Sequence, residues 1–426
     1  MTDIPGFSLE KTAPSHRAWR IIVAASIGNA LEWFDLVIYG FFAVTISKLF
    51  FPAGSETVSL LLTLGTFGVS FFMRPLGAVV LGVYADKAGR KAALTLSILL
   101  MMIGTLLIAV MPTYATIGIL APVGIVFARM IQGFSAGGEF GSATAFLAEH
   151  GGQRRGFFAS WQAASQGLTT LLAALAGTWL TTALTPEQVL SWGWRLPFLF
   201  GLFIGPVAYY IRRNIDETPE FVSTGTAKTP LADTFTDQRQ RLILAIGAVV
   251  LGTVATYLIL YMPTYAVKQL GLPASAAFTA TIATGVIQMI GAPFFGHLSD
   301  RIGRTRIMMV AGVFFLVCAY PVFRLLHDHP TFGALVGVQI FFGVANAAYF
   351  GALPALLSDL FPTKNRTTGM SVGYNVSVTV FGGFAPFIIT SLIGLTGNQL
   401  APSFYLIAAA IVSLFALMHI RKLAMQ

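Results

Sequence analysis

Charged side chains are scarce in this sequence. Asp, Glu, Lys and Arg together make up 10% of 426 residues, while 56% are hydrophobic and 13% aromatic. A soluble globular chain needs about a quarter of its residues charged to solvate its surface, so a water-soluble enzyme of two or three domains is excluded. Long alternation of apolar and polar residues is missing too, which excludes a membrane β-barrel. There is one cysteine, Cys318, in the apolar run LVCAYPVF. It cannot form an intramolecular disulfide and alone builds no cysteine-rich metal site, so it reads as a small buried hydrophobe. No glycine-rich phosphate-cradling motif occurs, which argues against ATP as an energy source. The six histidines stand at the ends of apolar runs or between them, and no nucleophile–His–acid constellation is readable. The chain is expected to be no enzyme, with no metal and no cofactor. Residues 1–19 are polar and the first apolar run is long enough to stay in a membrane, so no cleaved signal peptide is expected.

What the sequence does have is long apolar runs. A spanning helix takes about 20 apolar residues, and with its connection about 35, so 426 residues hold about twelve spans. The first six are expected at about 20–48, 57–84, 92–111, 115–148, 156–183 and 193–212. The second six are expected at about 242–267, 275–298, 306–326, 332–359, 367–395 and 401–420. Residues 213–241 are the longest polar stretch and read as a linker between the bundles 20–212 and 242–420, with tails at 1–19 and 421–426. Orientation follows from the basic residues. With both termini inside, twenty of the 26 Lys and Arg face the cytoplasm. Only Lys48, Arg195, Lys268 and Arg324 face out, and Arg74 and Arg129 lie within spans. That asymmetry accounts for the net charge of +9 without a nucleic-acid partner.

The two bundles repeat each other. GVYADKAGRKAA (Gly82 to Ala93) and GHLSDRIGRTR (Gly296 to Arg306) occupy equivalent loops, each with Asp four residues after Gly and Gly-Arg at +7 and +8. LAEHGGQRRG (from Leu147) and LSDLFPTKNRTTG (from Leu357) form a second pair, each with an acid at a helix end and an Arg six or seven residues later. Two matching six-helix halves suit a transporter that rocks around a midplane site.

These residues resemble the major facilitator superfamily. Gly82-x3-Asp86-x2-Gly89-Arg90-Lys91 matches its loop motif, and Arg129-x2-Gln132-Gly133 its fourth-helix motif. GNALEWFD (Gly28–Asp35), FFMRPLGA (Phe71–Ala78) and QGFSAGGEFG (Gln132–Gly141) are similar to strings of the metabolite–proton symporters. FFPAGSE, SFFMRPLGAVVLGVYADKAGRK and SWQAASQ resemble the citrate/tricarballylate–proton symporters within that group. The resemblance implies the major facilitator fold and proton-coupled uptake of a small organic carboxylate by a bacterial-type inner-membrane protein. It also implies a cytoplasmic gate made of Gly82, Asp86, Gly89, Arg90, Glu149 and Arg155 in one half. Gly296, Asp300, Gly303, Arg304, Asp359 and Arg366 are their counterparts in the other. No Pro occurs between Arg155 and Pro186, so the fifth-helix Gly-Pro motif of drug–proton antiporters is absent and symport is favoured.

Ionisable residues inside a span are costly and are functional candidates by default. There are five: Glu32, Asp35, Arg74, Arg129 and Glu139. At 1.5 Å per residue, Arg74 and Glu139 fall at one level, roughly 15 and 14 Å deep, and Asp35 comes within side-chain reach of Arg129. Three acids against two bases leave one acid free to exchange a proton. Asp35, Glu32, Arg129 and Glu139 are therefore the coupling candidates, Asp35 against Arg129 on the family's pattern. H⁺ is the expected coupling ion, with Na⁺ an open alternative. Asn29, Glu32, Asp35 and Tyr39 form a polar stripe on the first helix, and Gln162 and Gln166 belong to another on the fifth. With Arg74, Arg129 and Gln132 they are the expected substrate contacts of the first half. Tyr257, Tyr261, Gln288, Asn346, Tyr349, Tyr374 and Asn375 supply neutral donors from the second. The expected partners are an organic anion, protons and the lipid bilayer, around a monomer. Alternatives are a dicarboxylate, shikimate or betaine-type substrate, or a membrane sensor without transport.

Overall fold

A computed structural model of the chain describes residues 16–88, 90–137, 139–213, 235–362 and 366–423. Residues 214–234 of the expected linker, both extreme tails and Gly89 lie outside them. Glu139, Asp86, Arg90 and Gly82 are within helices, but the surroundings of these four residues also lie outside the described part.

Among the described residues every regular element is helical. Hydrocarbon offers the backbone no hydrogen-bond partner, so an apolar segment satisfies its own amides by coiling. The first half has spans at His16–Phe41 with Ala43–Phe50, Glu56–Ala88, Arg90–Val110, Leu120–Ala136 with Glu139–His150, Trp161–Ala183 and Arg195–Arg213. The second half has Arg239–Lys268, Ala274–Ile302, Arg304–Asp328, Phe332–Leu360, Arg366–Ser377 with Ala385–Thr396, and Ala401–Leu423. Twelve spans return the last described residue to the membrane face on which the first lies. That face is called the terminal face here, and the other the opposite face.

Several spans are interrupted. The first bends by 70° at Phe42, the fourth breaks after Ala136, and the eleventh carries a π-helical turn over Val378–Gly383. Irregular backbone is tolerated at membrane depth only where protein covers it, and Phe42, Gly137 and Gly383 are all buried.

Helix packing inside each half brings backbones together through glycine. Gly133 and Gly137, four residues apart on the fourth span, face the second span. A Cβ on Gly133 would overlap the Ser70 carbonyl, and one on Gly137 the Arg74 carbonyl. Small residues at this spacing let membrane helices touch where no hydrophobic force drives them together. This close approach sets Ser70 and Arg74 against the fourth helix.

The halves meet along paired spans. The fifth and eighth run against each other. The first meets the seventh through Trp33 and Tyr257, with rings 5.9 Å apart. The second meets the eleventh where Thr379 donates to the Phe71 carbonyl at 3.2 Å. Towards the opposite face, Phe41 and Phe42 pack on Phe278 at 5.8 and 5.5 Å. Towards the terminal face, Phe140 stacks on Tyr374 at 3.4 Å. Both approaches to the centre are filled by side chains.

Candidate functional site

Four of the five intramembrane charges converge at the centre of the first half. Glu32, Asp35, Arg74 and Arg129 are each at most 5% exposed. With Ser70, Gln132 and Gly133 they line one cavity of about 10 Å³, the room that one water needs.

The charges form two linked groups. Arg74 Nη2 donates to Glu32 Oε1 at 2.6 Å, a buried ion pair between the second and first spans. The Arg74 guanidinium also lies 4.7 Å from the centre of the Phe71 ring, within cation–π range. Asp35 and Arg129 are not in direct contact in the arrangement observed; Gln132 stands between them. Its Oε1 accepts from Arg129 Nη1 at 2.8 Å, and its Nε2 donates to Asp35 Oδ2 at 3.3 Å. Thr105 of the third span donates to the same Asp35 oxygen. Arg129 Nη2 donates to Ser70 Oγ at 3.2 Å, and its guanidinium is 4.6 and 5.3 Å from the Tyr39 and Phe67 ring centres. Arg74, expected at the level of Glu139, is held by Glu32 of the neighbouring first span; the Glu139 side chain lies outside the described part.

A buried charge is held only where partners replace its hydration. Arg129 meets this need with an amide, a hydroxyl and two aromatic faces, leaving Nε without a hydrogen bond. Asp35 has one oxygen doubly bonded and the other, Oδ1, without a partner. The pair is thus coupled through a neutral side chain that can bond both groups at once.

The second half reaches this centre chiefly through aromatic residues. Tyr257 packs edge-on against Phe67 and Phe71, at 5.9 and 5.4 Å, and its hydroxyl has no hydrogen bond. Tyr374 enters through its stack on Phe140. Asn375 Nδ2 donates to the Gly137 carbonyl at 3.2 Å, at the break in the fourth span.

The other expected contacts are spread more widely. Asn29 donates to Ser165 Oγ and to the Gln162 carbonyl at 2.7 and 3.1 Å, joining the first and fifth spans. Tyr39 donates to the Thr63 carbonyl. Tyr261 accepts from Thr390, Asn346 donates to Thr256, and Tyr349 donates to the Ala248 carbonyl, all within the second half. Gln288 is buried on the eighth span with Nε2 unbonded, and Gln166 is buried on the fifth. Thr105 and Ser70 hold the charged groups but were not expected. As small hydroxyl residues within apolar runs, they carry no signal beyond being polar there.

On the terminal face the repeated loops interlock. Glu149 of the first half faces Arg366 of the second at 3.5 Å, and Arg155 of the first faces Asp359 of the second at 3.5 Å. Each acid is thus answered by the arginine of the other half's loop. Arg304 also pairs with Asp359, within the second half. Asp300 accepts from the Gly156 and Phe157 amides at 2.7 and 3.0 Å, so its carboxylate meets the first turn of the short helix Arg155–Ala159 across the seam. Gly296 lies against Gly156 and Ser160, where a Cβ would not fit. Gly303 ends the eighth span at φ +97°, a conformation open to glycine.

Comparison with known proteins agrees with this architecture. The family profile described as Major Facilitator Superfamily matches residues 25–291 and 274–423. A citrate-proton symporter of Klebsiella pneumoniae is 38% identical over 405 residues, covering 94% of this chain and 91% of that protein. A proline/betaine transporter of Escherichia coli K12 is 33% identical over 410 residues, covering 93% and 82%. Among solved structures, the proton:xylose symporter XylE bound to 6-bromo-6-deoxy-D-glucose superposes with a TM-score of 0.75 over 96% of each chain, at 16% identity, a likeness of fold. Twelve spans in two interlocked halves, buried charges at their centre and a family match over nearly the whole described length lead to one assignment: this chain is a transporter of the Major Facilitator Superfamily.

Proposed function

We propose that the protein is a proton-coupled symporter that takes up a small organic polycarboxylate, citrate or a related tricarboxylate, across a bacterial inner membrane. Its termini are cytoplasmic in this reading, as the distribution of Lys and Arg favours, so the terminal face is the cytoplasmic gate. The observation that carries the reading is the pair of fully buried arginines, each already engaged with a carboxylate system of its own. Holding two guanidinium groups at membrane depth is costly, and an anionic cargo gives them a purpose. A substrate carboxylate would take the place of Glu32 on Arg74, and Glu32 would take up a proton as it is released. Asp35, bonded through Gln132 to Arg129, would exchange the proton that links occupancy to the gates. Similarity to citrate-proton symporters over most of both chains supports the choice of cargo.

A second reading, a zwitterionic quaternary-ammonium or proline-type cargo, is favoured by the aromatic side chains around the charges. Phe67, Phe71, Trp33 and Tyr257 cluster beside Glu32 and Arg74, and aromatic faces attract such cations. Uptake of labelled citrate, tricarballylate, succinate, proline and betaine into proteoliposomes, with and without an inward proton gradient, separates the two. Accumulation of the tricarboxylates driven by the gradient is expected. Gradient-driven accumulation of betaine or proline alone would overturn the carboxylate assignment.

A further inference from the structure

Few cations stand towards the opposite face, and two of those few meet in one place. Arg195 is spent on the carbonyls of Ser191 and Met111 at 2.9 and 3.1 Å. Arg324 pairs with Asp328 on its own helix. Lys48, from the end of the first span, and Lys268, the last residue of the seventh, both line a cavity of about 210 Å³ at the seam between the halves. Glu56, the first residue of the second span, lies between the halves there, its Oε2 2.6 Å from Lys268 Nζ. Ser47, Pro52, Ala53 and Ser59 complete the lining.

Two ammonium groups against one carboxylate leave the cavity positive. The Glu56–Lys268 pair ties the second span to the seventh, that is, one half to the other. It is a weak tie, since the Glu56 side chain is 76% exposed and water and salt screen such pairs. A molecule with two or three carboxylates competes well for it. One carboxylate replaces Glu56 on Lys268 while another engages Lys48, and the second contact is made at the high effective concentration of a tethered group. A monocarboxylate or a zwitterion lacks that second contact.

We propose that this cavity is an entry site for di- and tricarboxylates, in which the arriving anion takes Lys268 from Glu56 and so unlatches the two halves on this face. The site lies apart from the buried arginines, and its link to uptake rests on the carboxylate reading above.

The test has two arms. In the first, the purified wild-type protein is exposed to a membrane-impermeant amine-acylating reagent, and labelling of Lys48 and Lys268 is read by mass spectrometry. Citrate should protect both lysines severalfold, while chloride at matched ionic strength and betaine should not; Lys268 should label faster in Glu56→Gln. In the second, Lys48→Gln should raise the external half-saturation concentration for citrate uptake about fivefold at low ionic strength, the size expected of one partly exposed charge contact. Lys48→Arg should restore it, added salt should shrink the difference, and efflux from loaded vesicles should keep its own half-saturation. Absence of citrate protection, or an unchanged half-saturation in both Lys48→Gln and Lys268→Gln, overturns the proposal. The labelling arm reads the cavity whichever cargo is transported, so a carrier that accumulates betaine and not citrate would sink the assigned cargo while leaving the entry site separately decided.

Discussion

Glu32 and Arg74 neutralise each other in direct contact, so changing one alters the other. Removing one partner of a buried pair typically costs about 3–5 kcal/mol, because a charge is left uncompensated. Glu32→Gln should therefore lower the melting temperature of the purified carrier. Because Arg74 is then free for an anion, citrate should recover more of that stability than it adds to the wild type. Thermal melts with and without citrate measure this, and equal ligand shifts in the two proteins would place the anion elsewhere. Arg74→Lys keeps the charge but replaces a planar fork by a point, and should weaken citrate binding measured by calorimetry about tenfold. Asp35→Asn cannot cycle a proton; it should abolish gradient-driven accumulation yet leave counterflow exchange, and full accumulation by this variant would remove Asp35 from the coupling path. That these residues are candidates could be seen in the sequence, because a charge in an apolar run has few innocent explanations. Their partners could not be seen. Arg74 meets Glu32, which residue counting alone did not single out, and Gln132 mediates a contact between Asp35 and Arg129 that spacing suggested would be direct. Depth along a helix follows from counting residues, whereas the direction a side chain faces depends on how neighbouring helices are rotated.

Elements were more readable than pairings. Helix limits such as Ala274–Ile302 and Phe332–Leu360 fall within a few residues of where charge and proline bracket the apolar runs. The interruptions were hidden. Gly40 stands two residues before the 70° bend at Phe42 and Gly382 and Gly383 close the π-turn at Val378–Gly383, but glycine recurs throughout these apolar runs and does not single out a break. The string QGFSAGG, which carried the resemblance, acquires a physical reason: Gly133 and Gly137 allow the second and fourth helices to touch backbone to backbone. Gly133→Ala should thus be costly despite adding one methyl. Its Cβ has only the Ser70 carbonyl to push against, and overpacking of this kind typically costs about 1–3 kcal/mol. A lower melting temperature and a smaller folded fraction by size-exclusion chromatography are expected, while Gly54→Ala, in open space by the same criterion, should leave both unchanged.

For the whole molecule, the repeat seen in the loops becomes a crossed lock. The acid-then-arginine pattern invites pairing within a loop, but Glu149 reaches Arg366 and Arg155 reaches Asp359. A linear sequence displays the repeat; only the apposition of two halves can exchange the partners. Asp359→Asn releases Arg155 and Arg304 together. Only the Arg155 pair crosses between the halves, and one such partly solvated pair is worth about 1 kcal/mol, so the population open on the terminal face should rise roughly fivefold. Maleimide labelling of Ser371→Cys, which lies against Gly141 at the seam, in a Cys318→Ser background reads this directly. Unaltered labelling would make these loops topological markers and not a gate.

The two faces are fastened unequally. The terminal face has crossed ion pairs plus a carboxylate holding two main-chain amides across the seam, and hydrogen bonds to a charged group are worth about 1.5–3 kcal/mol each. The opposite face has the exposed Glu56–Lys268 pair, a weaker tie because water and salt screen it. In the proposed orientation, the empty carrier therefore idles with its inner door bolted and its outer door only lightly latched. A carrier that idles so seldom returns protons to the cytoplasm without cargo. Thrift in the proton gradient is then a property of the unloaded protein, set by fastenings far from the arginines that hold the load.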